Sequence, residues 1–199
     1  MGSTLLSTET TSKGATASWR LVVRALPLSA AGSWPQARGE WELVAAWSAP
    51  GGRCLCGSHI TQRALLSNRL TGRRALLGCC CVRHFPAAAR LFRTMARVMA
   101  DPTRPLNPAA VESAYGRGFL TPWARGFALS TRGRRLSARM RAKRLEVHHE
   151  LFVRMAAAGG RAVSSDKTRA KASPAGLGSL RGGANARENP GTTDGGRNA

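Results

Sequence analysis

Two short cysteine clusters contain the residues of this 199-residue chain that are best suited to chemistry. The first is Cys54-Leu-Cys-Gly57, and the second is Gly78-Cys-Cys-Cys-Val-Arg-His-Phe85. Thiolates are soft ligands, and cysteine and histidine at short spacings are typical of tetrahedral zinc sites. The glycine that closes the first cluster lets the backbone fold back on itself. The sequence therefore predicts a structural Zn²⁺ site with Cys54, Cys56 and Cys81 as ligands.

Three residues are candidates for the fourth ligand. His84 follows Cys81 with the two-residue spacing that is common in zinc sites, so it is the first choice. Cys79 would instead mirror the one-residue spacing of the first pair, and His59 lies three residues after that pair. Cysteines also serve as small buried apolar side chains or as redox-active thiols, and these uses are the alternatives for both clusters.

The stretch between the clusters has the pattern of a β-hairpin. Mixed apolar and basic runs at 60–67 and 73–77 are separated by Asn68-Arg-Leu-Thr-Gly72, whose Asn and Gly supply the backbone freedom of a turn. A helix over 60–70 is the alternative, because alanine and leucine are weak strand formers. Before the first cluster, the apolar residues at 40–48 predict a strand or two helical turns.

The second half of the chain has the pattern of consecutive helices. Apolar residues after Cys81 recur every three or four positions and predict an amphipathic helix that begins near Pro86. Two further helices start at the cap-and-proline pairs Asn107-Pro108 and Thr121-Pro122. Another begins within 130–135 and ends at Gly159-Gly160. Its apolar stripe comprises Leu136, Met140, Val147, Leu151 and Met155.

These patterns divide the chain into four parts. Residues 1–38 are rich in Ser, Thr, Gly and Pro, which predicts a disordered leader or a start site assigned too far upstream. Residues 39–100 form the zinc-binding module, 101–158 a helical region and 159–199 a disordered basic tail. The predicted fold class is small α+β, with a zinc knuckle, a β-hairpin and a helix followed by two or three α-helices.

The pattern over residues 41–99 resembles that of poorly characterised phage and bacterial proteins with a treble-clef-like zinc module. The resemblance rests on Cys54-Leu-Cys-Gly57, Asn68-Arg-Leu-Thr-Gly72 and Gly78-x-x-Cys81-Val-x-x-Phe85. Cys79 and Cys80 are additional to that pattern, while the one-residue knuckle spacing and Pro86 depart from treble clefs. The resemblance implies a zinc-binding fold and association with nucleic acid, and it implies no catalytic activity.

The charge of the chain is strongly positive. Lys and Arg number 31 against 10 Asp and Glu, so the net charge is +21 and the pI about 11.8. Such a charge attracts polyanions, and arginine binds phosphate in a bidentate manner, although a GC-rich genome is an alternative origin of the arginines. We expect a protein that binds DNA or RNA mainly through sequence-independent phosphate contacts. The candidate contact residues are Arg63, Arg69, Arg73, Arg74, Arg134, Arg135 and Arg139.

Three aromatic residues, Tyr115, Phe119 and Trp123, interleave with arginines and could stack unpaired bases. Core packing is the preferred interpretation, because small domains bury their few aromatic side chains.

A second functional hypothesis is a zinc-stabilised adaptor that binds an acidic protein. In this hypothesis the apolar stripe of 136–155 docks a helix of the partner.

Other classes of function have little support in the sequence. There is no glycine-rich phosphate loop or nucleophile elbow, and acidic residues are scarce, so we assign no catalytic residue. His148-His-Glu150 lacks the His-Glu-x-x-His spacing of metalloproteases, and its histidines are expected at the surface.

Five cysteines without a secretory signal argue against a disulfide framework. No apolar stretch reaches the roughly 18 residues of a membrane span, so we expect a cytoplasmic bacterial or phage protein without membrane contact.

Overall fold

The computed structural model describes the backbone of residues 10–171 and the side chains of residues 18–162. This part of the chain forms a three-stranded antiparallel sheet in the order β1-β2-β3, with helices before and after it. The prediction of a small α+β fold is confirmed. The strands are β1 (Trp41–Arg53), β2 (His59–Asn68) and β3 (Arg74–Leu77). The helices are α1 (Thr10–Ala25), α2 (Trp34–Ala37), α3 (Cys79–Val82), α4 (Pro86–Ala100), α5 (Pro108–Gly116), α6 (Pro122–Ser130) and α7 (Ala138–Lys171).

The predicted hairpin is present as β2 and β3. The longer strand β1 pairs with the other edge of β2. β2 pairs with β3 in antiparallel register, so the alternative of a helix over 60–70 is wrong. The Asn68 side chain accepts hydrogen bonds from the amides of Leu70 (2.9 Å) and Thr71 (3.0 Å), which closes the turn. The apolar cluster at 40–48 forms the first part of β1, because it pairs with β2 instead of coiling into helical turns.

Residues 18–38 of the N-terminal segment pack against the rest of the chain, so the expectation of a disordered leader is wrong for this part. Leu21 of α1 is fully buried in the core. Arg24 donates a hydrogen bond to the Leu55 carbonyl at 2.9 Å, within the first cysteine cluster. These partners are distant in sequence, so the composition of the segment did not reveal them. Residues 1–9 lie outside the described residues.

Glu40 is a buried carboxylate that joins the N-terminal segment to the hairpin. It is 6% exposed and accepts hydrogen bonds from the amides of Ala30 (2.8 Å) and Ala31 (2.7 Å) and from Asn68 Nδ2 (2.6 Å). The bond from Asn68 contributes most to holding the pKa of Glu40 below its usual value. A carboxylate with all these donors is tolerated inside a protein, where an unpaired one would be costly.

The helices α4, α5 and α6 begin where the sequence predicts, whereas α7, expected to begin within 130–135, begins at Ala138. α4 begins at Pro86, and the residues from Cys79 to Val82 form a separate short helix. Asn107 Oδ1 accepts the Ala110 amide at 2.8 Å, and Thr121 Oγ1 accepts the Ala124 amide at 3.1 Å. Both are N-caps followed by proline, as expected from the local sequence.

Helix α7 is longer than predicted and packs against β1. It runs through Gly159-Gly160 to Lys171, so the expected helix end at these two glycines is wrong. A Cβ at Gly159 would lie 2.2 Å from the Trp47 indole, which shows that this glycine permits a close approach. The remainder of the predicted tail, 172–199, lies outside the described residues.

The apolar stripe of α7 is buried within the chain. Leu136, Val147, Leu151 and Met155 are all less than 9% exposed, and Met140 is half-buried. The stripe is therefore not available to a partner helix, which removes the surface on which the adaptor hypothesis depended. Among residues 10–171, no helix has the length and apolar character needed to cross a membrane.

Two polar side chains of α7 are buried beside this stripe. Arg144 donates hydrogen bonds to the carbonyls of Thr103 (3.0 Å) and Thr131 (2.8 Å). His148, expected at the surface, is 2% exposed, and its Nδ1 lies 2.7 Å from the Pro102 carbonyl oxygen. Loss of hydration, followed by repulsion from Arg144, lowers the pKa of His148, and the Pro102 bond offsets this only in part.

We expect the protein to lose stability as the pH falls below about 6.5, the ordinary histidine pKa. The unfolded chain protonates His148 near that pH, whereas the folded chain does so only at lower pH, so protonation favours unfolding. Urea unfolding at pH 8, 6.5 and 5 should show a loss of at most about 1.4 kcal/mol per pH unit from this residue. His148→Gln should lose less stability than the native chain between pH 8 and 5. Equal losses in both proteins would contradict this assignment.

Candidate metal centre and basic surface

The first cysteine pair lies in a tight turn between β1 and β2. The Cys54 amide donates to the Ser58 carbonyl at 2.8 Å, and the Gly57 amide donates to the Cys54 carbonyl at 2.8 Å. Gly57 has a φ of +97°, a conformation that L side chains rarely adopt. Both cysteines of the pair, Cys54 and Cys56, are buried. One reversal of the chain therefore supplies two thiols.

The third cysteine comes from α3, immediately after β3. The Gly78 amide precedes this helix and donates a hydrogen bond to Cys54 Sγ at 3.4 Å. A Cβ at Gly78 would lie 2.5 Å from Ile60 Cγ2, so glycine lets the chain pass close to β2. Cys81 is buried, whereas the two cysteines before it are exposed. The end of the hairpin thus brings Cys81 to the first pair.

Cys54, Cys56 and Cys81 meet in one buried group. Their Sγ atoms all lie within 4.8 Å of one another, and none forms a disulfide. Zinc–sulfur bonds of about 2.3 Å in a tetrahedral site place the sulfur atoms roughly 3.8 Å apart. The three cysteines predicted from the sequence are therefore close enough to hold a metal ion.

Hydrogen bonds within the group make one of the thiols acidic. The Cys54 sulfur accepts hydrogen bonds from the Cys81 thiol and from the backbone amides of Cys56 and Gly78. These bonds lower the pKa of Cys54 to about 5, although burial acts to raise it. The pKa of Cys81 is raised, because its proton is held by Cys54 and burial disfavours its charged form. The lowered pKa favours the thiolate of Cys54, the form that binds a cation. A bound metal would displace the proton of Cys81.

A cavity of about 540 Å³ lies beside the cysteine group, and two of the three candidates for a fourth ligand line it. Its lining includes His59, Cys79 and Cys80 as well as the three buried cysteines. His84, the first choice from spacing, does not line the cavity. α3 ends before His84, whose amide closes the turn by donating to the Cys81 carbonyl at 3.2 Å. Among the described residues, no fourth cysteine, histidine or carboxylate joins the group within 4.8 Å.

The chemistry of the donor set gives the most direct evidence about what this site binds. Comparison with protein-family models, with curated proteins and with solved structures gave no match. Three thiols in one buried group favour soft or borderline cations such as Zn²⁺ and Cu⁺ over Mg²⁺ or Ca²⁺, which prefer oxygen ligands. The site is therefore suited to a thiophilic metal.

Six of the seven arginines predicted to contact phosphate are exposed. None of the six forms an ion pair with a carboxylate among the described side chains, although Arg69 also donates to the Gly39 carbonyl at 3.2 Å. Three lie at the hairpin turn and three lie around the start of α7. The six are Arg69, Arg73, Arg74, Arg134, Arg135 and Arg139.

Arg63 differs from these six because it is used within the sheet. It is half-buried on β2 and donates a hydrogen bond to the Pro50 carbonyl across an irregular part of β1. A Cβ at Gly52 would lie 2.7 Å from its Nε, so glycine makes room for the guanidinium. Arg63 therefore holds the irregular part of β1 in position.

Sequence reasoning missed the exposure of two aromatic residues. Phe119 is buried, as core packing predicts, but Tyr115 is 37% exposed and Trp123 is 56% exposed. The sequence signal for their exposure is that they interleave with basic residues, a pattern that suits base stacking as well as core packing.

Proposed function

We propose that this protein binds nucleic acid through phosphate contacts and that one structural Zn²⁺ ion stabilises its fold. Three buried cysteines within 4.8 Å support the metal site, and Zn²⁺ fits because it forms tetrahedral sites with thiolate and imidazole ligands. The fourth ligand comes from the rim of the adjacent cavity, from Cys79 or His59. The succession of a cysteine turn, a hairpin and a helix supports a treble-clef-like module.

The observation that carries the nucleic-acid proposal is the set of six exposed arginines without carboxylate partners. Ion pairs elsewhere on the surface show how the chain neutralises other cations, for example Arg154 with Glu150 and Arg104 with Asp101. Unpaired guanidinium groups are free to replace the counterions of a phosphate backbone. Because a contact of this kind reads no base edge, binding is expected to be largely independent of sequence.

The Arg73→Ala/Arg74→Ala variant should bind DNA more weakly and with less salt dependence than the native chain. Each lost phosphate contact reduces the slope of log K against log salt by about 0.9 for duplex DNA. Two lost contacts should therefore reduce the slope by up to about 1.8. Fluorescence anisotropy with a labelled duplex across a series of KCl concentrations measures both effects. The Arg134→Ala/Arg135→Ala variant tests the second group in the same way.

Arg154→Ala is the matched control, since it removes a partly exposed arginine that is already paired with Glu150. It should change the salt slope much less than either double variant. Affinity that does not weaken with added salt would refute the proposal. So would double variants that bind like the control, because the unpaired arginines would then not contact phosphate.

A further inference from the structure

A cluster of exposed and half-buried aromatic and basic side chains lies on the helices that follow the sheet. It comprises Tyr115 of α5, Trp123, Arg125 and Phe127 of α6, and Lys143 of α7, and we call it the aromatic patch. Trp123 is the most exposed of its aromatic members, with 56% of its surface accessible. The patch lies outside the cysteine group, whose cavity none of its members lines.

The aromatic patch is held in place by its own contacts. The Trp123 ring stacks on Phe127 with a centroid distance of 5.2 Å and an interplanar angle of 13°. Arg125 lies 5.0 Å from the Tyr115 ring centroid and pairs with Glu112 at 2.8 Å. A tryptophan positioned in this way loses little side-chain freedom when a second flat ring stacks on it. This geometry therefore suits an aromatic ligand.

Cations connect the aromatic patch to the proposed phosphate-binding arginines. Lys143 Nζ lies 5.5 Å from the Trp123 ring centroid. Arg139 precedes Lys143 by four residues on α7, and this spacing places both on one face of the helix. Arg134 and Arg135 lie in the segment that leads into the same helix. A strand that stacks a base on Trp123 would therefore run beside Lys143, with Arg139 one helical turn away on the same face of α7.

We infer that the aromatic patch binds single-stranded nucleic acid by stacking an unpaired base on Trp123. This inference rests on the proposed function and specifies its substrate class. In a duplex the faces of the bases are covered by their neighbours, so only an unpaired base offers a face to the indole ring. Stacking tolerates any base, in agreement with binding that reads no sequence.

The test compares Trp123→Ala with Trp19→Ala in the full chain. Trp19 is a matched control, because it is also an exposed tryptophan, at 67%, but lies on α1. The probes are labelled oligo(dT) and oligo(rU) of about 15 nucleotides, an abasic strand of equal length and charge, and a duplex. Circular dichroism confirms that each variant is folded.

Trp123→Ala should weaken binding to both single strands by about 5- to 150-fold, the range measured for loss of one base–aromatic stack. Binding to the abasic strand should stay within about twofold, because its phosphates remain but its bases do not. Trp123→Phe should keep most of the affinity, since phenylalanine also stacks, and Trp19→Ala should leave all probes unaffected.

Unchanged binding of oligo(dT) and oligo(rU) by Trp123→Ala would overturn the inference while salt-dependent binding still supported the proposed function. An equal loss on the abasic strand and on the duplex would also overturn it, since the effect would not depend on base faces. Absence of salt-dependent binding to every probe would refute the proposed function itself.

Discussion

Replacing Cys54 with serine should reduce the bound metal from about one Zn²⁺ per chain to nearly none and should destabilise the chain by several kcal/mol. Cys54 is expected to have the largest effect of the cysteines because its sulfur is the centre of the group. It accepts hydrogen bonds from the Gly78 amide and from the Cys81 thiol, and its pKa is lowered to about 5. The variant therefore loses the ligand whose thiolate form these hydrogen bonds stabilise.

The loss should be smaller than in a zinc-finger peptide, where metal binding supplies about 10–16 kcal/mol and the apo form is unfolded. This chain has an apolar core of its own, in which Trp41, Leu66 and Phe85 are almost fully buried. Cys54 and Cys56 nevertheless hold the turn between β1 and β2. Without metal, we expect that turn and α3 to open before the rest of the sheet.

Metal content measured on protein purified without a chelating tag, together with urea unfolding, tests this prediction. Cys80→Ser is the matched control, since Cys80 is exposed and outside the group of three, and it should keep its metal. Cys79→Ser, His59→Gln and His84→Gln identify the fourth ligand, and the geometry predicts that His84→Gln has the smallest effect. A folded native chain that contains no metal and is unaffected by Cys54→Ser would refute the zinc site.

Gly159→Ala should destabilise the chain by about 1–3 kcal/mol, although alanine favours a helix by about 1 kcal/mol relative to glycine. The added Cβ would lie 2.2 to 2.6 Å from three carbon atoms of the Trp47 ring. Trp47 of β1 is 4% exposed and packs against α7, so moving the ring disturbs that interface. Overpacking therefore outweighs the gain in helix propensity.

Gly160→Ala is the adjacent control. A Cβ at that position meets nothing within 4 Å, so the substitution should stabilise the helix by about 0.5–1 kcal/mol. Thermal unfolding of both variants measures the difference in sign. A Trp47→Phe background should reduce the cost of Gly159→Ala, because the two side chains are coupled. Equal stabilisation by both glycine substitutions would contradict the close packing of α7 on Trp47.

The sequence by itself determined the features that arise from contacts between neighbouring residues. Asn107 and Thr121 cap their helices through amides three positions ahead, so a short pattern was sufficient to locate both helix starts. The hairpin and the Cys-x-Cys-Gly turn were predictable for the same reason. Cys54, Cys56 and Cys81 could be selected as a group because each lies at a local reversal or helix start with recognisable spacing.

Only the tertiary structure decided what depends on partners far along the chain. Gly159 has the sequence signature of a helix end, but the approach of α7 to Trp47 uses its missing side chain within the helix. Leu21, Glu40 and Arg144 have no suitable partners beside them in sequence, and their burial follows from contacts with distant segments. The choice of a fourth ligand for the proposed metal ion also depends on distant partners, because it is set by which side chains face one cavity. Packing of this kind is set by long-range geometry, so residue type and spacing do not encode it in any short stretch.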